Sequence, residues 1–97
     1  MNTYQVEGDN VETLLTRKEA ADILGTNPRR LFDYLKAGAL FLPRFERFKC
    51  SKGGISRTAM ISNWDIESLK RIQQAFKKYG SPGKARKYIS ENPHEFN

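Results

Sequence analysis

Residues 15–40, LTRKEAADILGTNPRRLFDYLKAGAL, leave the backbone few choices. Thr16 and Glu19 have the spacing of a capping box, in which a hydroxyl and a carboxylate each satisfy one orphan backbone N–H at a helix start. Ala20, Ala21 and Leu24 give the short helix that follows an apolar face, and Gly25 can adopt the left-handed conformation that ends it. Asn27 is suited to cap a second helix, and Pro28 to open it, where the missing N–H costs nothing. Leu31, Tyr34 and Leu35 then recur at helical spacing, and Gly38 is expected to stop the run.

Two helices of roughly two to three turns, joined by about three residues, make a helix-turn-helix. Beyond Leu40, Pro43 rules out further helix. Segments 44–49 and 56–61 read as extended, and residues 50–54, with Gly53 and Gly54, supply the turn chemistry of a hairpin between them. Phe45, Phe48, Met60 and Ile61 are expected to pack on the helices rather than stack on bases, and Cys50 to be a small half-buried residue of the ribbon. Val11, Leu14 and Leu15 can fold back as a short strand or staple ahead of the first helix. A third helix starts at Ser62 or Asn63, with Asp65 and Glu67 in its positive first turn. Its stripe of Leu69, Ile72, Phe76 and Tyr79 reads as a cap on the core, since a sustained coiled coil needs about three to four heptads. Gly80 closes it, and Ser81 and Pro82 begin a short fourth helix. The expected fold is mainly α with a small β-hairpin and three to four helices. It comprises a flexible arm over residues 1–13, one domain over 14–90 and a frayed tail over 91–97.

The distribution of charge narrows the class. The net charge of the 97 residues is +6, but all 17 Lys and Arg lie between Arg17 and Lys87. That span holds only six acids, which leaves it at +11, while the other five acids sit in the two ends. Clustered basic charge on a chain of one-domain size is the footprint of a polyanion binder. No stretch approaches the roughly 20 apolar residues of a membrane span, and the polar start is no signal peptide, so no membrane partner is expected. With one cysteine no internal disulfide can form, and a cytoplasmic, nucleoid-associated location in a bacterial or phage setting is expected.

The quoted stretch also resembles the winged helix-turn-helix shared by phage excisionases and MerR-type regulators. Thr16, the paired Ala20 and Ala21, Gly25, Pro28 with Arg29, Leu31, Leu35 and the exit Gly38, Ala39 and Leu40 carry the resemblance. It covers about a quarter of the chain and extends weakly to about residue 80. It implies that the second helix is a recognition helix and the hairpin a wing. Asp33 departs from the pattern, in which a basic residue often stands there. An acid would repel phosphate, so it either accepts from a cytosine amino group or pairs with a neighbouring arginine. Beyond residue 80 the chain reads as a short fourth helix rather than the long dimer helix and effector domain of MerR-type regulators.

The expectation is therefore sequence-specific binding of double-stranded DNA. Arg29 and Arg30 lie where a helix entering the major groove N-terminus first meets base edges, and either can fork onto guanine O6 and N7. Asn27 is a cap that can also touch a base or phosphate, and Tyr34 can offer its hydroxyl to phosphate with its ring packed inside. Lys36 with Arg17 or Lys18 would brace the flanking strand, while Lys49, Lys52 and Arg57 would hold the backbone from the wing. A small transcriptional regulator of phage, plasmid or mobile-element type is expected. The alternatives are an excisionase-like factor that bends DNA, a DNA-packaging or partition protein, and a protein-binding module with incidental basic charge. Possible protein partners are a second copy, through Phe41, Phe48, Trp64 or the third helix, and a recombinase or RNA polymerase. No enzyme, metal site or cofactor is expected. The single histidine, His94, lies near the end, no Cys/His pair exists, Gly53 and Gly54 lack a strand-to-helix context, and the acids are scattered.

Overall fold

Thr16 caps the first helix as its spacing requires: its Oγ1 accepts from Glu19 N at 3.1 Å, and Glu19 Oε1 accepts from Thr16 N at 2.8 Å. The computed structural model describes residues 11–50, 52–56 and 58–96. Strand β1 (Leu14–Leu15) leads into α1 (Arg17–Ile23) and α2 (Pro28–Phe41), followed by a 3-10 helix (Pro43–Phe48). Strand β2 (Ile61–Ser62) and a 3-10 turn (Asn63–Asp65) precede α3 (Ile66–Tyr79), α4 (Pro82–Glu91) and a last 3-10 turn (Pro93–Glu95). The chain is mainly helical, with one small antiparallel sheet pairing Leu14 with Ser62 and Leu15 with Ile61.

The α1–α2 corner follows from its residues. Gly25 has φ +67°, Gly25 N donates to Asp22 O at 3.1 Å, and Thr26 N to Ala21 O at 2.9 Å. These are the two bonds of a Schellman ending, which a left-handed glycine makes possible. Two residues on, Asn27 Oδ1 accepts from Arg30 N at 2.8 Å and starts α2. The completely buried Ala20 and Ala21 let the two helices approach closely. From α3, the buried Gln73 Nε2 donates to Leu24 O at 2.9 Å, taking up a carbonyl that the end of α1 leaves orphaned.

Gly38 does not end α2, which runs three residues further to Phe41. Leu42 stops it: the residue before Pro43 is driven to the extended region, and its φ and ψ are −114° and 120°. Gly38 instead makes room, since a Cβ there would lie 2.6 Å from Phe45 Cδ2.

The wing expected over residues 44–61 is also corrected. Residues 43–48 coil as a 3-10 helix. Leu42, Phe45 and Phe48 recur every third residue and are all buried. Three residues per turn place them on one side, whereas a strand would send Phe45 and Phe48 to opposite faces. The turn does form, with Gly53 N donating to Cys50 O (2.9 Å) and Cys50 N to Gly54 O (3.1 Å), but the only ladder beside it among the described residues is a single bridge between Lys49 and Ile55. Ile61 joins Leu15 instead. Met60, just before the strand, is exposed rather than packed, and Cys50 is exposed rather than half-buried.

The four residues of the α3 stripe account for the rest of the core. Leu69 and Ile72 are fully buried, Phe76 meets Tyr34 edge-on at 5.0 Å between centroids, and Tyr79 lies against Tyr88 at the same separation. The stripe thus closes on α2 and α4 of its own chain. Of the expected N-terminal arm, residues 1–10 lie outside the described residues, while residues 11–13 are tied down. Thr13 N donates to Asn63 Oδ1 (2.8 Å), Asn63 N to Thr13 O (2.9 Å) and Asn63 Nδ2 to Val11 O (3.2 Å). Of the expected frayed tail, residues 91–96 are tied down as well, and Asn97 lies outside the described residues. Phe96, only 3% exposed, packs on the Tyr88 ring, and Arg71 Nη1 donates to Glu95 O at 3.1 Å. Burying a ring of that size outweighs the entropy of the last few residues.

Gly38→Ala should lower stability by about 1–3 kcal/mol, the usual cost of overpacking, seen as a lower urea midpoint at unchanged slope. Phe45→Leu in the same chain should recover part of the loss. A second expectation concerns pH. Tyr88 donates to Glu95 Oε1 at 2.5 Å; that bond, with desolvation and the charges of Glu95 and Tyr79, pushes its hydroxyl up from 10.0 to about 12. A phenol whose proton the fold retains adds stability that is complete below pH 10 and is lost as pH rises toward 12. Ultraviolet titration should show a tyrosinate step near pH 12 that Tyr88→Phe removes and Glu95→Gln moves toward 10.

Candidate nucleic-acid interface

The fourteen residues of α2 present two unlike faces. Leu31, Tyr34, Leu35 and Gly38 turn to the core, while Arg29, Phe32, Asp33, Lys36 and Leu40 recur at helical spacing on the outside. Arg30 is exposed beside them at the capped end. The ion pairs of the described residues are Arg44 and Arg47 with Asp65, and Arg71 with Glu67. None of them involves Arg29, Arg30, Asp33 or Glu46. The two guanidinium groups at the start of α2 are thus not spent on surface salt bridges, and they project where the helix dipole is positive.

Two clefts flank this free face. Beside the C-terminal half of α2 lies a groove of about 170 Å³ lined by Lys36, Ala39, Leu40, Lys49, Cys50, Gly53, Gly54 and Ile55. It brings the 50–54 turn against the helix, so that Lys36 and Lys49 share one groove and the exposed Lys52 stands on the turn beside it. At the other end, a cleft of about 280 Å³ lies between Arg30, Asp33 and Tyr34 of α2 and Phe76, Gly80, Ser81 and Pro82 at the α3–α4 junction.

The remaining residues expected at the interface divide. Lys18 is exposed on α1. Asn27 is exposed but commits its Oδ1 to the cap. Tyr34 is 2% exposed, its ring packed inside as expected. Arg17 is only partly exposed and does structural work: Nη2 donates to Ser56 O, clamping the chain that leaves the turn, and burial lowers its guanidinium pKa. Its Nη1 is buried without a hydrogen-bond partner. A guanidinium stays charged throughout the accessible range, so the clamp also carries positive charge toward the turn. Arg57 lies outside the described residues.

Sequence reasoning missed the exposed apolar members of the face, Phe32 (43% exposed) and Leu40 (52%). The signal was present, because a stripe of 31, 34, 35 and 38 leaves 32, 36 and 40 on the opposite side. It also missed the pairing of Arg44 and Arg47 with Asp65, which removes two cations from any interface.

Among the described residues no group of three His, Cys, Asp or Glu side chains is placed to hold a metal ion, and no helix is long and apolar enough to cross a membrane. Comparison of the chain with family models, with curated proteins and with solved structures gives no match.

Proposed function

We propose that the protein binds double-stranded DNA, with α1 and α2 acting as a helix-turn-helix and α2 entering the major groove. The observation that carries this reading is the free face of α2, where Arg29, Arg30 and Lys36 are exposed and outside every ion pair of the described residues. A helix fits the major groove of B-DNA, about 12 Å wide, and an arginine fork on guanine O6 and N7 is worth roughly 1–3 kcal/mol of discrimination. Phe32 and Leu40 supply apolar surface for thymine methyl groups along the same face. Asp33, between the arginines and Lys36, repels phosphate and is suited to accept from a cytosine amino group. Lys49 and Lys52 on the reduced wing hold the backbone and add affinity without sequence information. The biological role we attach to this binding is that of a small transcriptional regulator that occludes or recruits at a promoter.

Affinity for duplex DNA should fall steeply with salt, each phosphate neutralised adding about −0.9 to the log–log slope. Arg29→Ala should relax sequence preference by roughly tenfold at one position, whereas Lys52→Ala should weaken selected and random duplexes alike and reduce the slope by about 1. A flat salt response, or tighter binding to single strands, would contradict the proposal. A strongly bent complex on repeated sites in a circular-permutation gel shift would replace the regulator role with that of an excisionase-like factor.

A further inference from the structure

The cleft at the N-terminal end of α2 contains a polar group that the fold leaves unused. Tyr34 is 98% buried, held edge-on by Phe76, yet its hydroxyl makes no hydrogen bond to any described residue. Its oxygen is not among the buried atoms lacking a partner, and Tyr34 lines the cleft, so the hydroxyl is the end of the side chain that meets this opening. A phenol costs more to bury than a phenyl ring unless its O–H is used, and buried tyrosines usually find a partner.

The opposite wall of the cleft is the start of α4. Ser81 Oγ accepts from Lys84 N at 3.2 Å and Ser81 O from Ala85 N at 3.0 Å, while Pro82 has no N–H. The start of α4 thus reaches the cleft through Ser81 and Pro82, with the positive end of its dipole. Arg30 lines the same cleft. A neutral O–H, a helix N-terminus and a guanidinium converging on one opening match the chemistry of an anion, and of a phosphate in particular. Asp33, also on the cleft, is the one group there that opposes an anion.

We propose that this cleft holds a backbone phosphate of duplex DNA, bound by the Tyr34 hydroxyl and the Arg30 guanidinium beside the positive start of α4. The inference rests on the DNA-binding reading above and deepens it. It gives α4 a role in the interface and makes Tyr34 a register-setting contact at the edge of the recognition helix.

The test uses the full chain and the duplex it selects best from a random pool. Tyr34→Phe keeps the ring packing and removes only the oxygen. It should weaken selected and random duplexes by the same factor, roughly three- to tenfold, as expected for one hydrogen bond. Duplexes with a single neutral methylphosphonate at successive positions should include one on which wild type and Tyr34→Phe bind equally. Arg30→Gln, which removes the charge and keeps a polar side chain, should show its loss at that same phosphate. Undiminished binding by Tyr34→Phe, or a loss that no methylphosphonate position cancels, would overturn the proposal while leaving DNA binding intact. A wild-type chain that binds no duplex would remove the underlying reading as well.

Discussion

A carboxylate taken out of water needs partners, and Asp65, at 2% exposure, has three. Ser62 N donates to its Oδ2 at 2.8 Å, Arg47 Nη2 pairs with the same oxygen, and Arg44 Nε lies 3.6 Å from Oδ1. Arg44 also donates from Nη2 to Trp64 O at 2.9 Å, and Arg47 from Nη1 to Arg44 O at 2.8 Å. The knot fastens the 3-10 helix of residues 43–48 to the start of α3, joining two parts of the chain that no ladder connects. Removing one partner of such a pair costs far more than the pair contributes against an apolar replacement, because the other charge is left stranded. Asp65 therefore determines where residues 43–48 can go more than it adds to stability.

That placement carries through to α2. With Arg44 and Arg47 turned to Asp65, the buried side of the 3-10 helix offers Leu42, Phe45 and Phe48, and the Phe45 ring lies on Gly38. The inner face of α2 is covered there, and by Phe76 of α3 on Tyr34. Gln73 holds the end of α1 at the corner. The buried contacts named here all fall on one side of α2, which leaves Arg29, Phe32, Asp33, Lys36 and Leu40 exposed on the other.

Local signals in the chain were legible in proportion to how completely neighbouring residues decide them. The capping box of Thr16 and Glu19, the Asn27 cap, the left-handed Gly25 and Gly80, and the serine start at Ser81 all act within four residues, and each forms as read, whereas Ser62 caps the 3-10 turn of residues 63–65 and α3 itself starts at Ile66. The strand at Leu14 and Leu15 was visible, though its partner was not. Residues 44–49 misled because an aromatic and charged run flanked by a proline and a glycine turn has the composition of a strand. The deciding feature is the period of three in Leu42, Phe45 and Phe48, joined to an acid that stands seventeen or more residues away. Gly38 misled for a related reason. A glycine near the end of an apolar stripe suits a C-cap, and only the ring of Phe45 shows that the position is about room. Burial of Phe96 likewise depends on Tyr88, Arg71 and Glu95 meeting in space.

The exposed face of α2 carries both apolar and charged groups, and their order separates two kinds of partner. A helix that docks in a protein groove presents apolar anchors at successive i, i+3, i+4 and i+7 positions. Here Phe32 and Leu40 stand eight residues apart with Lys36 between them, and Arg29 and Asp33 occupy the adjoining row. Burying that face against protein would strand Lys36 between two apolar contacts, a desolvated charge without a partner. Against duplex DNA the same order causes no conflict. Isolated apolar groups meet isolated thymine methyls, and cations between them remain within reach of base edges and phosphates on either side of the groove. The alternation on this face is thus itself an argument for a polyanionic partner with apolar spots, over a continuous apolar groove.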